Sequence, residues 1–370
     1  MAVYIVGFII STICIWLSEQ KRALKLFGII AIGILTYIAT VRGLNIGIDI
    51  KYYVIRNYQT ALAYKGDIWR YMSYNPDQVE PLYLLTEYIA ANVFQNVHFA
   101  LFVFSLLSNI FVYLGLKNLR TRMSVTLGWI AYCFLFYCVT LNLMRQFIAI
   151  AVIFYLFSSP EKLSWKRVII LSVIVMGFHV SGFMGIFLYA VYKFLGDQTR
   201  ELFFLRKIGM GVFLLLPFLT DIGLSLLANI GMVSGKFLVY LDNEGDVALG
   251  NIIFRSIGLI LYVLYLYKNK MSRKDNWNRF ILYIGIIDVL FLLNNGLFSL
   301  RLGKTFSIFE IIYFTIGLNA FKKKGGSRRA VSIAMVILLF VYWYYQFVVL
   351  NSGLVYPYEI DNTLFRGGVR

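Results

Sequence analysis

Apolar runs long enough to cross or enter a bilayer begin at the first residues and recur to about residue 350 of the 370-residue chain, and that recurrence constrains the fold more than any other feature. In lipid, each backbone N–H and C=O must be satisfied within the protein, so an open sheet is excluded and a helix bundle is predicted. No stretch between the runs is large enough for a soluble domain, so residues 1–370 read as a single membrane-embedded domain. A hydrophobic content of 60% against 14% charged residues agrees, being far from the balance of a water-soluble domain. The run at 3–17 has neither a basic segment before it nor a small-residue cleavage site after it, and is expected to be a retained helix. Cys14, Cys133 and Cys138 all fall inside apolar runs without metal-ligand spacing. With only His98 and His179 as imidazoles, a multi-histidine metal centre is excluded and no cofactor is expected.

The fold class expected is all-α, a polytopic transmembrane bundle of about 12 spans near 3–17, 27–41, 99–116, 125–141, 146–158, 168–178, 182–194, 203–229, 251–267, 279–296, 304–320 and 331–350. Its orientation follows from the basic residues. Clusters at 21–25, 117–122, 162–167, 193–207, 268–279 and 322–329 fall on alternate connections and hold 23 of the 35 lysines and arginines with five acids, +18 on one side against −1 for all the rest. That side is the cytoplasmic one, which places both termini outside. A positive-inside bias explains the net +17 more simply than nucleic-acid binding does. The alternation requires that residues 81–96 not cross. Glu80, Glu87, Asn92, Gln95 and Asn96 would make a lipid-exposed span expensive, so 42–98 is read as an outer-face loop with an amphipathic helix.

Polar groups gather where the expected spans meet the outer side. Arg42 is followed by Gly47-Ile48-Asp49, and a helix starting near Asp49 would place Asp49, Tyr52, Tyr53 and Arg56 on one face. Asp49 is then a carboxylate able to orient or deprotonate a hydroxyl, or merely a helix cap. Glu80 precedes Pro81 at the start of the outer-face helix. Asn142-Leu143-Met144-Arg145-Gln146 sets Asn142, Arg145 and Gln146 on one face at the head of a short span, and the arginine fork suits a phosphate. His179 stands at a helix break with Ser181 and Gly182, where an imidazole suits acid–base work. Asn294-Asn295-Gly296, Arg301 and Lys304 form a further cluster, and Asn251 and Arg255 open another span. Arg42, Arg145, Arg255 and Arg301 thus end four different spans on the expected outer side, as an anion site would require. Asp221, Asp288 and Glu310 are embedded acids, either partners for those arginines or parts of a proton path.

The ordered set Arg42, Gly47-Ile48-Asp49, Tyr53, Glu80-Pro81, Tyr83, Asn142-Leu143-Met144-Arg145-Gln146, Ala149, His179, Ser181, Asn294-Asn295, Arg301 and Pro357-Tyr358 resembles the EpsG family of polysaccharide-biosynthesis membrane proteins, relatives of Wzy-type O-antigen and capsule polymerases. Ile48 departs from the small or polar residue expected beside Gly47. The resemblance implies a fold similar to C-type membrane glycosyltransferases in the bacterial cytoplasmic (inner) membrane. It also implies an exopolysaccharide polymerase that moves a glycan from undecaprenyl pyrophosphate onto a sugar hydroxyl of the next lipid-linked repeat on the outer face. A chain-length regulator and a flippase follow as partners from the resemblance alone. On that basis Arg145 and Arg301 hold the pyrophosphate, assisted by Arg42 and Gln146, with Tyr53, Glu80, Asn142 and Arg255 lining the substrate site and Asp49 or His179 as base. A flippase or transporter of lipid-linked oligosaccharide and an O-antigen ligase are the alternatives; the many spans suit the former, although the two halves show no sequence symmetry.

Overall fold

The computed structural model describes residues 1–20, 24–75, 79–196, 203–230, 249–294, 296–321 and 327–361. Asn295 and much of the basic clusters near 21, 200 and 322 lie outside the described residues. Among the described residues the secondary structure is helical, apart from an isolated antiparallel bridge between Arg42 and Ile360. Among the described residues six helices are long and apolar enough to cross a membrane: Ala2–Gln20, His98–Asn118, Val125–Asn142, Lys207–Asn229, Leu249–Lys268 and Arg329–Val349. Backbone packing groups the chain into two compact units, Met1–Phe183 with Ala334–Arg370, and Met184–Ile333.

The first unit contains α1 (Ala2–Gln20), α2 (Leu26–Thr40), α3 (Ile55–Ala63), α4 (Ile68–Tyr74), α5 (Pro81–Asn92), α6 (His98–Asn118), α7 (Val125–Asn142), α8 (Met144–Phe157) and α9 (Trp165–Met176). Lipid tails are as apolar as leucine, so hydrophobicity alone does not hold such helices together, and close packing with polar cross-links does. Small residues allow the approach: a side chain added at Gly28 of α2 would collide with Tyr113 of α6, and one at Gly115 of α6 with Phe154 of α8. Asn109 of α6 is the central polar link. Its amide donates to Thr36 of α2 at 3.1 Å and to Ser105 at 3.1 Å, while its carbonyl accepts from the Tyr132 hydroxyl of α7 at 2.6 Å. Trp129 adds a bond from α7 to Ser11 of α1. The three cysteines are free and buried.

Two expectations about the outer loop meet the structure differently. Residues 81–96 contain the short helix α5, whose twelve residues begin at Pro81, where proline's missing N–H costs no hydrogen bond. The segment after Asp49 is helical as expected but opens with a π-helical turn, Ile50–Val54, which carries one extra residue per turn. The even face expected from Asp49 to Arg56 is therefore rotated: Tyr52 is exposed while Tyr53 turns inward to meet Arg145. Asp49 makes no side-chain cap to this helix, which removes the cap as its reason to be there.

The second unit holds α10 (Met184–Gly196), α11 (Phe203–Asn229), α12 (Leu249–Lys268), α13 (Asn276–Phe291), α14 (Leu297–Ser307) and α15 (Glu310–Gly317). The helix α16 (Ser327–Trp343) then runs back into the first unit. Each expected span overlaps a helix, but the one expected at 279–296 stops at Phe291, and 304–320 is divided between α14 and α15 with a break at Ile308 and Phe309.

Candidate functional site

The site grows from the turn after α2. Gly47 has φ +98°, and a Cβ there would lie 2.5 Å from the Leu141 carbonyl oxygen, so only glycine lets this loop lie against the end of α7. The two segments are then tied together. The Asn142 side-chain oxygen accepts the Ile48 N–H at 3.0 Å, and the Arg42 guanidinium donates to the Leu141 carbonyl at 3.0 Å and to the Met144 sulfur at 3.1 Å. Arg42 is 1% exposed. It was expected at the substrate, but the structure buries it beneath the α7–α8 junction, where its bonds hold the turn that carries Arg145.

Arg145 occupies the first turn of α8. Its Nη1 donates to Glu80 Oε2 at 2.9 Å, and its guanidinium lies over the rings of Tyr53 (4.4 Å) and Tyr83 (4.9 Å). One ion pair and two aromatic faces fix the plane of the fork, each ring contributing about 1–2 kcal/mol in so shielded a place. The side chains of Arg145 and Glu80 are 12% and 11% exposed, so the pair is shielded without being sealed. Among the described residues the guanidinium gives no hydrogen bond beyond the one to Glu80, leaving donors of its five N–H groups for an incoming anion. The Asp49 carboxylate is near enough to act electrostatically on both Arg42 and Arg145.

Glu80 reaches in a second direction. Its Oε1 accepts the Val180 N–H at 3.1 Å, so one carboxylate joins Arg145 to the interruption between α9 and α10. That interruption is the expected break: α9 stops at Met176 and a 3-10 turn spans Val180–Phe183. There His179 Nδ1 accepts the Ser181 N–H at 3.1 Å and lies 2.8 Å from the Ser181 hydroxyl. An Nδ1 that accepts a backbone proton assigns the neutral ring's hydrogen to Nε2. In that tautomer the Nδ1 lone pair of His179 is engaged by Ser181. Gln146, the remaining member of the Asn142 motif, is buried in α8.

Sequence reasoning passed over the role of Glu87. One turn beyond Tyr83 on α5, it is 0% exposed, and neither of its carboxylate oxygens has a hydrogen-bond partner among the described residues. Burial pushes its carboxyl well above the usual carboxylate range, opposed by the neighbouring Tyr83 hydroxyl and the Arg145 charge. The signal available was a lone acid in the middle of an otherwise apolar helical stretch, and it was attributed to water exposure.

In the second unit the arginines and acids serve each other. Arg255 of α12 pairs with Asp288 of α13 and, through Nε, with Glu310 of α15 at 3.1 Å; all three are buried. Asp221 of α11 accepts from the Asn294 amide at 2.8 Å and from the Ser299 N–H at 3.3 Å, so both residues secure the start of α14. Arg301 is exposed on α14. The structure thus places Arg42, Asp49, Tyr53, Glu80, Asn142, Arg145 and His179 in the first unit, whereas Arg255 and Arg301 belong to the second.

The model of the EpsG family aligns with residues 25–360, nearly the whole chain. Neither the curated proteins nor the solved structures yield a match.

Proposed function

The chain belongs to the EpsG family and is a membrane protein of polysaccharide biosynthesis, and from that premise we propose that it polymerises lipid-linked repeats. The donor is a glycan on a lipid pyrophosphate, the acceptor a sugar hydroxyl of the next repeat, and the reaction takes place on the outer face. The observation that supports this most is Arg145: a permanently charged fork, held in plane by Glu80, Tyr53 and Tyr83, with N–H groups left over. Such a group suits a pyrophosphate whose charge grows as it leaves, because a donor positioned in advance needs no reorganisation during reaction.

In this reading the acceptor oxygen attacks the anomeric carbon, the bond to the pyrophosphate breaks, and its electron pair departs with the phosphate oxygen held by Arg145. The acceptor's proton passes to Asp49. His179, with Nδ1 engaged by Ser181, donates from Nε2 to an oxygen of the donor or acceptor. Arg42 and Asn142 act one step back, by holding Asp49 and Arg145 on adjoining turns.

The test is Arg145→Ala at matched membrane levels in the native host, comparing surface-glycan length with the pool of lipid-linked repeats. Collapse of the long ladder to single lipid-linked repeats exposed outside is expected. An unchanged ladder would remove Arg145 from catalysis, and repeats trapped on the cytoplasmic face would move the protein to the transporters.

A further inference from the structure

The segment after α16 carries none of the groups assigned above, yet it lies directly on the loop that does. Its backbone makes a row of bonds to the stretch after α2: Gly47 N–H to the Leu354 carbonyl at 3.0 Å, Gly43 N–H to the Glu359 carbonyl at 2.9 Å, and Asp361 N–H to the Val41 carbonyl at 2.9 Å. Side chains pin both ends of the row. The Tyr4 hydroxyl donates to the Val355 carbonyl at 2.8 Å, the Tyr358 hydroxyl to the Ile38 carbonyl at 2.8 Å, and Asp361 meets the His98 ring at 3.0 Å. Making these contacts requires an uncomfortable turn. Asn351, Gly353 and Leu354 have φ of +46°, +79° and +53°, a region that leucine rarely enters and keeps only where its surroundings hold it.

We propose that residues 351–361 are a positioning clasp for the site, acting through Asn142. This rests on the reading of the Asp49–Arg145 layer given above. The loop from Gly43 to Ile48 is gripped from two sides, by the clasp along its backbone and by Asn142 through Ile48 N–H, next to Asp49. Gly353 is where the two grips touch: a Cβ there would stand 3.0 Å from the Asn142 amide nitrogen and 3.2 Å from its Cγ. The clasp sets where Asn142 can sit, Asn142 sets Ile48, and Ile48 carries Asp49 with it. A residue more than 200 positions beyond Arg145 in the sequence thus helps determine the distance between base and anion holder.

The experiment is a double-mutant cycle on the full-length chain, with Gly353→Ala, Asn142→Ala and the pair, read as polymer length and rate in native membranes. Hydrogen exchange on the purified proteins supplies a readout independent of activity. Gly353→Ala is expected to slow polymerisation about tenfold; the part due to alanine at φ +79° persists in the Asn142→Ala background and the part exerted through Asn142 does not, so the two losses are less than additive. Exchange is expected to rise at 43–48 and 141–145 while α1 and α6 keep their protection. Additive losses, or exchange rising throughout the unit, would overturn the clasp by showing that Gly353→Ala merely destabilises the protein. Arg145→Ala separates the two claims: a ladder lost with Arg145→Ala beside an additive cycle removes the clasp and leaves the site, whereas a ladder indifferent to Arg145→Ala removes the site itself.

Discussion

At the scale of single residues, hydrogen-bond direction decides what charge and spacing alone leave open. The sequence leaves Asp49 and His179 as alternative bases, and Asp49 is the proposed one because Nδ1 of His179 accepts the Ser181 N–H. Asp49→Asn is therefore expected to lower the polymerisation rate by at least about 10²-fold, the lower end of general-base effects, with lipid-linked repeat still bound. Equal loss from His179→Asn, with Asp49→Asn still active, would reverse the assignment. Glu87 gives a second prediction. Its folded-state pKa is raised above the value near 4.3 of an unfolded glutamate, so the stability owed to its neutral form is complete below that value and is lost as pH rises through the folded value. Glu87→Gln keeps the shape and removes the titration. It is expected to melt higher than wild type at neutral pH and to flatten the pH dependence of melting; a lower melting temperature would mean that the ionised carboxylate is needed. Arg42, Gly47, Asp49, Glu80 and Arg145 were legible because each is a charge or glycine near the edge of an apolar run. Glu87 was not, because a buried acid and a wetted acid look the same in one sequence.

At the scale of elements, the apolar runs located the helices, and what escaped was where a helix changes its winding or stops. The π-helical turn at Ile50–Val54 has no composition of its own; it is the tertiary contact of Tyr53 with Arg145 that goes with the extra residue. The break at Ile308 and Phe309 has no proline or glycine at it, and with Ser307 before it and Glu310 after it a helical period still reads through. The pairing of Arg255 was open in the sequence, as an anion holder or as a bridge, and three buried charges on three helices show that its side chain is engaged with carboxylates. Arg255→Met leaves Asp288 and Glu310 with only the neighbouring Lys304 as cation, which should weaken the second unit by about 3–5 kcal/mol, the usual effect of breaking a buried pair from one side. Detergent melting curves check this, and adding Asp288→Asn and Glu310→Gln to Arg255→Met should recover much of the loss. An unchanged melting curve for Arg255→Met would show that the bridge carries no stability.

At the scale of the whole molecule, the match over residues 25–360 agrees with a set of motifs spread along nearly the entire chain, each too short to be specific alone. Charge on the leaving group is met in this reading by arginine rather than by a divalent ion. Polymerisation is accordingly expected to survive exhaustive chelation, and activity lost to a chelator and restored by magnesium would refute that expectation. The bonds between 351–361 and 41–47 were out of reach of sequence reasoning, since they run between main-chain atoms and any residue type can make them.

Those same bonds join positions more than 300 residues apart in the chain. A ribosome that has made every helix through α16 has still not delivered the last partner of Gly43, so this part of the first unit closes only once residue 361 has been made and brought to Val41 and Gly43. Chains cut short by a stop codon or a protease after about residue 350 would carry all the helices and an unfastened site. On the proposed function, the cell would accumulate inserted but idle protein rather than join repeats with half-built copies.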